Sequence, residues 1–212
     1  MRSQTDRRPP QRSDDRREAI LGALDSWLQE SSLEAINIAE ISKQAGVTRS
    51  AFYFYFENKA AAVAALMERM VDETFAVNEL FTTGSENPRV RIRTMLTGLF
   101  AMWERHQHLF KAMLEVRGSS ASVREIWDTA RESFVDSIAD MISSERAAGA
   151  APAGVDANVL ATVLLEFNGQ LLERLTLGGP LTPEQLMDGA TAVWLGSVYG
   201  ITDVTNRGRE TP

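Results

Sequence analysis

Thr48, Arg49, Ser50 and Tyr53 bring two hydroxyls, a guanidinium and a phenol together within six residues. These groups hydrogen-bond to phosphates and to base edges, and the N-terminal end of a short helix is the part that enters a major groove. Other chemistry is sparse. His106 and His108 are the only histidines, and their i, i+2 spacing puts them on different helix faces with no HExxH pattern beside them. Cysteine is absent, which removes thiol nucleophiles, disulfides and thiolate metal sites. No GxSxG turn or phosphate-binding glycine loop occurs, and the carboxylates are scattered over polar faces. The sequence reads as no enzyme, with no cofactor and no metal.

The residues around this cluster are those needed to present it. Ile38 to Ala45 reads as a short helix stopped by Gly46, which tolerates the positive φ of a tight turn. Asn37-Ile-Ala-Glu40 has capping-box spacing at its start. Thr48 caps the next short helix, through Phe56, and Asn58 caps a longer one from Lys59 to about Leu80. Ala39 is small where two helices cross, and Val47 can plug the angle between them. Helix, glycine turn, helix is a helix-turn-helix pattern. Taken alone, the five aromatics Phe52 to Phe56 would suit a buried strand. The helical reading puts Phe52 and Phe56 together on the core face and leaves Tyr53 outside.

Charge agrees with this placement. The net charge of −7 lies wholly beyond residue 70, because the first 70 residues hold ten basic and ten acidic groups. Met1 to Arg17 carries six arginines against three aspartates. That stretch reads either as a basic arm that meets phosphates or as a solvated tail. No run approaches the roughly 18 apolar residues of a membrane helix, and the early arginines are not followed by a secretory apolar segment. A cytoplasmic protein with no membrane partner is expected.

Apolar residues recur at helical spacing almost throughout, so the expected class is all-α with about nine helices. Ser13 or an aspartate should cap the first helix, and the segment Phe81 to Asn87 marks a boundary or hinge. Asn87-Pro88, Ser122-Val-Arg-Glu125, Asp156 and Thr182-Pro-Glu-Gln185 read as later helix starts. The expected organisation is a basic disordered arm over 1–17, a helix-turn-helix DNA-binding domain over 18–70, and a helical ligand-binding and dimerisation domain over 71–212. In the last of these, Leu99, Trp103, Trp127, Phe134, Ile138, Phe167 and Trp194 lie on wide apolar stripes. They suit either a plain core or an adaptable apolar cavity. Asn168 is the candidate polar anchor, or else it bonds a backbone carbonyl. Leu186, Met187, Ala190, Val193, Trp194 and Val198 are more than one intrachain core should need.

Ala45-Gly-Val-Thr-Arg-Ser-Ala-Phe-Tyr-Phe-Tyr-Phe-Glu-Asn-Lys59 resembles the signature of the TetR family of regulators. More weakly, the Trp127 helix, the Asn168 region and Trp194 to Gly200 are similar to its ethionamide-resistance subgroup. Leu165 and Gly169 stand where that subgroup tends to place polar pocket residues. The resemblance implies a repressor released by a small hydrophobic effector. It implies phosphate contacts from Thr48, Tyr53 and Lys59, with Arg49 and Ser50 on base edges and Phe54 on a thymine methyl. Asn37 joins the DNA-facing set at the start of the motif. The resemblance also implies a homodimer on a palindromic double-stranded operator, paired through its last two helices in a four-helix bundle. An enzyme, or a small-molecule carrier, are the rival readings, and neither needs a helix-turn-helix.

Overall fold

Side-chain caps decide where most of the helices begin. Asn37 accepts from the Ala39 N–H at 2.9 Å while Glu40 accepts from the Asn37 N–H at 3.1 Å. Thr48 accepts from Ala51, Asn58 from Ala61, Asn87 from Arg89, and Asp156 from Asn158 and Val159. Thr182 and Gln185 close a second reciprocal box, at 3.2 and 2.9 Å. Each cap satisfies a first-turn N–H that has no partner inside its own helix.

The computed structural model describes residues 11–83 and 87–201, with side chains for 15–71 and 87–201. Among these residues the chain is helical, with no strand. The helices are α1 (Gln11–Glu30), α2 (Ile38–Gln44), α3 (Arg49–Tyr55), α4 (Lys59–Thr83), α5 (Pro88–Arg105), α6 (Gln107–Arg117), α7 (Ala121–Glu132), α8 (Val135–Ala147), α9 (Ala157–Leu177) and α10 (Pro183–Tyr199). The all-α expectation stands, and several local expectations are corrected. The first helix is already formed at Gln11, so residues 11–17 of the expected arm are helical and Ser13 is not a cap; residues 1–10 lie outside the described residues. Ser120, not Ser122, caps α7, accepting from the Val123 N–H. The helix that starts here ends at Glu132, and Ser133–Phe134 separates it from α8. The expected hinge is helical as far as Thr83, and residues 84–86 lie outside the described residues.

Two compact units emerge. One comprises the described residues up to Arg69 together with His108–Ile126; the other comprises Met70–Gln107 and the described residues from Trp127. The N-terminal stretch of the first unit ends at Arg69, and α6 and the start of α7 belong to that unit as well. In that unit Ile20, Leu24, Phe52 and Met67 are buried together with Leu109, Phe110 and Val123. His108 Nε2 lies 2.8 Å from Asp25 Oδ1, which ties α6 to α1.

In the other unit α5, α8, α9 and α10 enclose Ile92, Leu96, Ile142, Ala161 and Trp194. Full burial of an aliphatic side chain of this size contributes about 1.5–3 kcal/mol. Leu186, Met187, Ala190, Trp194 and Val198, expected to be too many for one chain, are all buried within it; only Val193 of that set stays 41% exposed. A polar cluster crosses this core. Arg91 on α5 is buried and donates to Glu145 on α8 at 2.6 Å. Beside it, burial pushes the Tyr199 phenol up from its ordinary value, with Arg91 opposing and Glu145 adding to the rise.

Glu145→Ala leaves the buried Arg91 without its carboxylate. A fall of ~2–4 kcal/mol in unfolding free energy is expected, below the ~3–5 kcal/mol of a fully enclosed pair because Glu145 is partly open to solvent. Chemical denaturation measures it, and Arg91→Met combined with Glu145→Leu should recover most of the loss. A change under ~0.5 kcal/mol would mean that the pair is solvated in practice.

Candidate nucleic-acid interface and candidate ligand cavity

The turn between α2 and α3 is built from backbone. Ala45 N–H donates to Ile41 O and Val47 N–H to Ser42 O, both at 2.9 Å, and Gly46 adopts φ +66° between them. Ser42 is buried and donates to Ile38 O at 2.7 Å, so its hydroxyl is satisfied inside α2. On α3 the helical reading of the aromatic run holds. Phe52 and Phe56 are buried with ring centroids 5.8 Å apart. Tyr53 is 47% and Phe54 78% exposed, the latter against the pull of its large apolar area.

Thr48, Arg49 and Ser50 are exposed at the start of α3. The Arg49 guanidinium lies 5.8 Å from the Tyr53 ring centroid, a cation–π pair that holds both side chains in one place. Asn37 is exposed, and its Oδ1 accepts from Ala39 as the cap of α2, which leaves its amide nitrogen free to donate. Lys59 is placed differently from its expected phosphate role. Its ammonium donates to Leu33 O, to Ile36 O at 2.7 Å and to Glu34 O at 3.2 Å. An ammonium has three N–H groups, and three carbonyls of the α1–α2 connection take them. Lys59 thereby fastens that connection to the first turn of α4. Nothing local in the sequence signals this, because the acceptors are backbone atoms over 20 residues away.

The second unit contains a cavity of about 100 Å³. Its wall is formed by Met70 and Val71 of α4, Met95, Leu99 and Met102 of α5, and Trp127, Ala130 and Arg131 of α7. Phe134, Ile138, Leu165, Asn168, Gly169, Leu172 and Trp194 complete it. Of the residues expected around a ligand, Leu99, Trp127, Phe134, Ile138, Asn168 and Trp194 line this space. Trp103 and Phe167 do not: the Trp103 indole donates to Thr176 Oγ1 at 2.9 Å, and Phe167 packs against the core as a partly buried side chain. The wall positions that sequence reasoning missed follow helical spacing. Leu165, Asn168, Gly169 and Leu172 fall at i, i+3, i+4 and i+7, and Met95, Leu99 and Met102 at i, i+4 and i+7. Phe167 is off that face.

Asn168 is buried, and its Oδ1 accepts from the fully buried Trp194 Nε1–H at 3.0 Å. An indole N–H only donates, so this bond fixes which end of the amide is oxygen. The amide nitrogen has no acceptor among the described residues. In a wall otherwise apolar except for Arg131, it is a donor set beside empty space.

Residues 20–66 match the family described as bacterial regulatory proteins, tetR family, and residues 92–200 match the C-terminal domain of the transcriptional regulator EthR. The chain is 32% identical over 191 residues to the HTH-type transcriptional regulator EthR of Mycobacterium tuberculosis, covering 88% of each chain. It is 29% identical over 194 residues to the protein of the same description from Mycolicibacterium smegmatis, covering 90% of this chain and 89% of that one. Solved structures share the fold. A putative TetR-family transcriptional regulator from Syntrophomonas wolfei aligns with a TM-score of 0.68 at 17% identity, over 90% of this chain and 98% of its own. One from Rhodococcus sp. aligns with a TM-score of 0.64 at 18% identity, over 87% and 99%. No helix among the described residues is long and apolar enough to cross a membrane.

The Lys59 geometry predicts how a DNA titration responds to its loss. Lys59→Ala should destabilise the protein by ~1.5–3 kcal/mol, the range for charged hydrogen bonds, and weaken DNA binding by the same factor at every salt concentration. The log–log salt slope should stay unchanged, because no phosphate loses its counter-charge. A slope reduced by ~0.9 in Lys59→Ala would instead make the ammonium a phosphate contact.

Proposed function

This chain belongs to the TetR family of DNA-binding transcriptional regulators, and on that premise we propose that it is a repressor released from its operator by a small hydrophobic effector. One observation carries the reading. Helix α4 starts at Lys59, which fastens the helix-turn-helix connection, and the same helix supplies Met70 and Val71 to the cavity wall. It runs 25 residues, about 37 Å at 1.5 Å per residue. A ligand that displaces Met70 therefore pushes on the middle of a rod whose first residue holds the α1–α2 connection. Release requires that the ligand prefer the conformation that does not fit DNA.

On the DNA side, Thr48 and Tyr53 contact phosphates, Arg49 and Ser50 read base edges, and Phe54 packs on a thymine methyl. The exposure of all five supports this assignment. A homodimer places two such helices about 34 Å apart on a palindromic operator. Among the described residues, Val159, Val163 and Leu177 on α9 and Val193 on α10 are large apolar side chains left exposed for its interface. A regulator that reads chromosomal DNA works in the cytoplasm.

Two outcomes test this. Arg49→Ala should relax preference at one operator position by ~1–3 kcal/mol, and because Arg49 stacks on Tyr53 it should also weaken binding overall. Unchanged specificity in a binding-site selection would remove Arg49 from base readout. For the cavity, a panel of hydrophobic compounds is titrated against the protein–operator complex in a mobility-shift assay. At least one should release wild-type protein and fail on Gly169→Phe, which fills the wall where an added Cβ meets open space. Asn168→Trp also narrows the cavity but strips Trp194 of its acceptor, so Gly169→Phe is the cleaner variant. If no compound releases DNA, the protein represses without an effector in this cavity.

A further inference from the structure

Among the described residues Arg131 is the one charged side chain on the cavity wall, and nothing in filling an apolar space calls for it. It extends from α7 with 20% of its side chain exposed. Its Nη2 lies 2.9 Å from Asp128 Oδ1 on the same helix and 3.0 Å from Glu166 Oε1 on α9. Both carboxylates are about half exposed, at 50% and 52%. A guanidinium that touches both the cavity and half-solvated carboxylates marks where the cavity meets water.

Two features make this more than a rim ion pair. Both carboxylates share a single nitrogen, and Nε and Nη1 have no partner among the described residues, yet neither is sealed away from solvent and cavity. Each edge of a guanidinium that takes a carboxylate in parallel bidentate fashion, Nε with Nη2 or Nη1 with Nη2, includes Nη2, so a carboxylate that replaces Glu166 there also gains one of these two nitrogens. Glu166 is also weakly held, since an exposed pair contributes little net stability. Its displacement by an incoming carboxylate would leave the charge of the cluster unchanged, with Glu166 returned to water.

We propose that the cavity takes a hydrophobic carboxylate, its acid head on Arg131 in exchange for Glu166 and its apolar body among Trp127, Phe134 and Met95. The unpaired amide of Asn168 then meets a second acceptor where the ligand has one. Binding cuts the tie between α7 and α9 at the same step. With about 100 Å³ available, the first ligands to fit are short acids. This rests on the effector cavity proposed above and names the class of molecule that fills it.

Octanoate and 1-octanol share a chain length and differ in charge, so they separate the head from the body. Full-length protein is titrated with each at neutral pH, following the fluorescence of the wall tryptophans. Wild type should bind octanoate about tenfold or more tighter than octanol. Arg131→Met should bind octanol as wild type does, which shows that it is folded, and lose the preference for octanoate. Glu166→Gln should bind octanoate more tightly, since the neutral amide competes less for the guanidinium. Octanol binding as well as octanoate to wild type, or an unchanged ratio in Arg131→Met, overturns the carboxylate assignment and leaves the cavity reading standing. Binding of neither probe overturns both.

Discussion

The Trp194 indole is completely buried and must give its hydrogen to something. A buried donor left unpaired costs about 1–3 kcal/mol, so the acceptor Asn168 is fixed at 3.0 Å and cannot rotate away. That bond ties α9 to α10 and leaves a rigid polar group inside an apolar wall. Around it, Met95, Met102, Leu165 and Leu172 stop short of filling the space, and Gly169 contributes no side chain at all. The cavity is thus a consequence of one obligatory hydrogen bond and a few side chains too small to close over it.

An ammonium plays the corresponding part in the N-terminal unit. The connection between α1 and α2 is irregular, and its carbonyls need donors. Lys59 supplies three hydrogen bonds at once, while Asn37 and Glu40 satisfy the amides at the start of α2. With that connection held, α2 and α3 cross over Ala45–Val47, and Phe52 and Phe56 anchor α3 from below. The exposed residues of α3 can then be chosen for what they touch, because none is needed to hold the helix. Phe54, at 78% exposure, makes this plain.

What could be read from sequence was what is local. Asn37, Thr48, Asn58, Asp156 and Thr182 each act on amides two or three residues away, so their caps were legible one by one. The helical spacing of Phe52 and Phe56 was sufficient to overrule the strand propensity of five aromatics. The break at Ser133–Phe134 was not legible, since neither glycine nor proline marks it; Phe134 is buried at the start of α8. The return of His108–Ile126 to the N-terminal unit depends on contacts such as His108 with Asp25, 83 residues apart. Lys59 was assigned to a phosphate, and Arg131 was not picked out at all, for a common reason. A charged residue on a helix reads as solvated unless its partners are visible, and their partners lie on other elements. Trp103 failed for the opposite reason: its indole needed an acceptor and found Thr176, off the cavity.

The size of the cavity sets what a ligand can do. At ~24 cal/mol per Å³ an empty volume of about 100 Å³ costs the fold roughly 2 kcal/mol. A ligand that fills it returns energy of that order, in addition to whatever polar contacts it makes. Coupling between an effector and DNA is typically ~1–3 kcal/mol, so filling this one space is enough to shift the balance, provided the filled and DNA-bound states differ in shape. The wall makes that difference hard to avoid. Met70 and Val71 are part of a continuous helix rather than a loop, and close-packed helices move as bodies instead of yielding locally. A ligand slightly larger than the space must push α4 or push α5, α7 and α9. Of these α4 and α7 begin in the N-terminal unit, and α4 does so at the residue that clasps the connection between α1 and α2, so on the proposed reading displacement of α4 is the route by which occupancy becomes release.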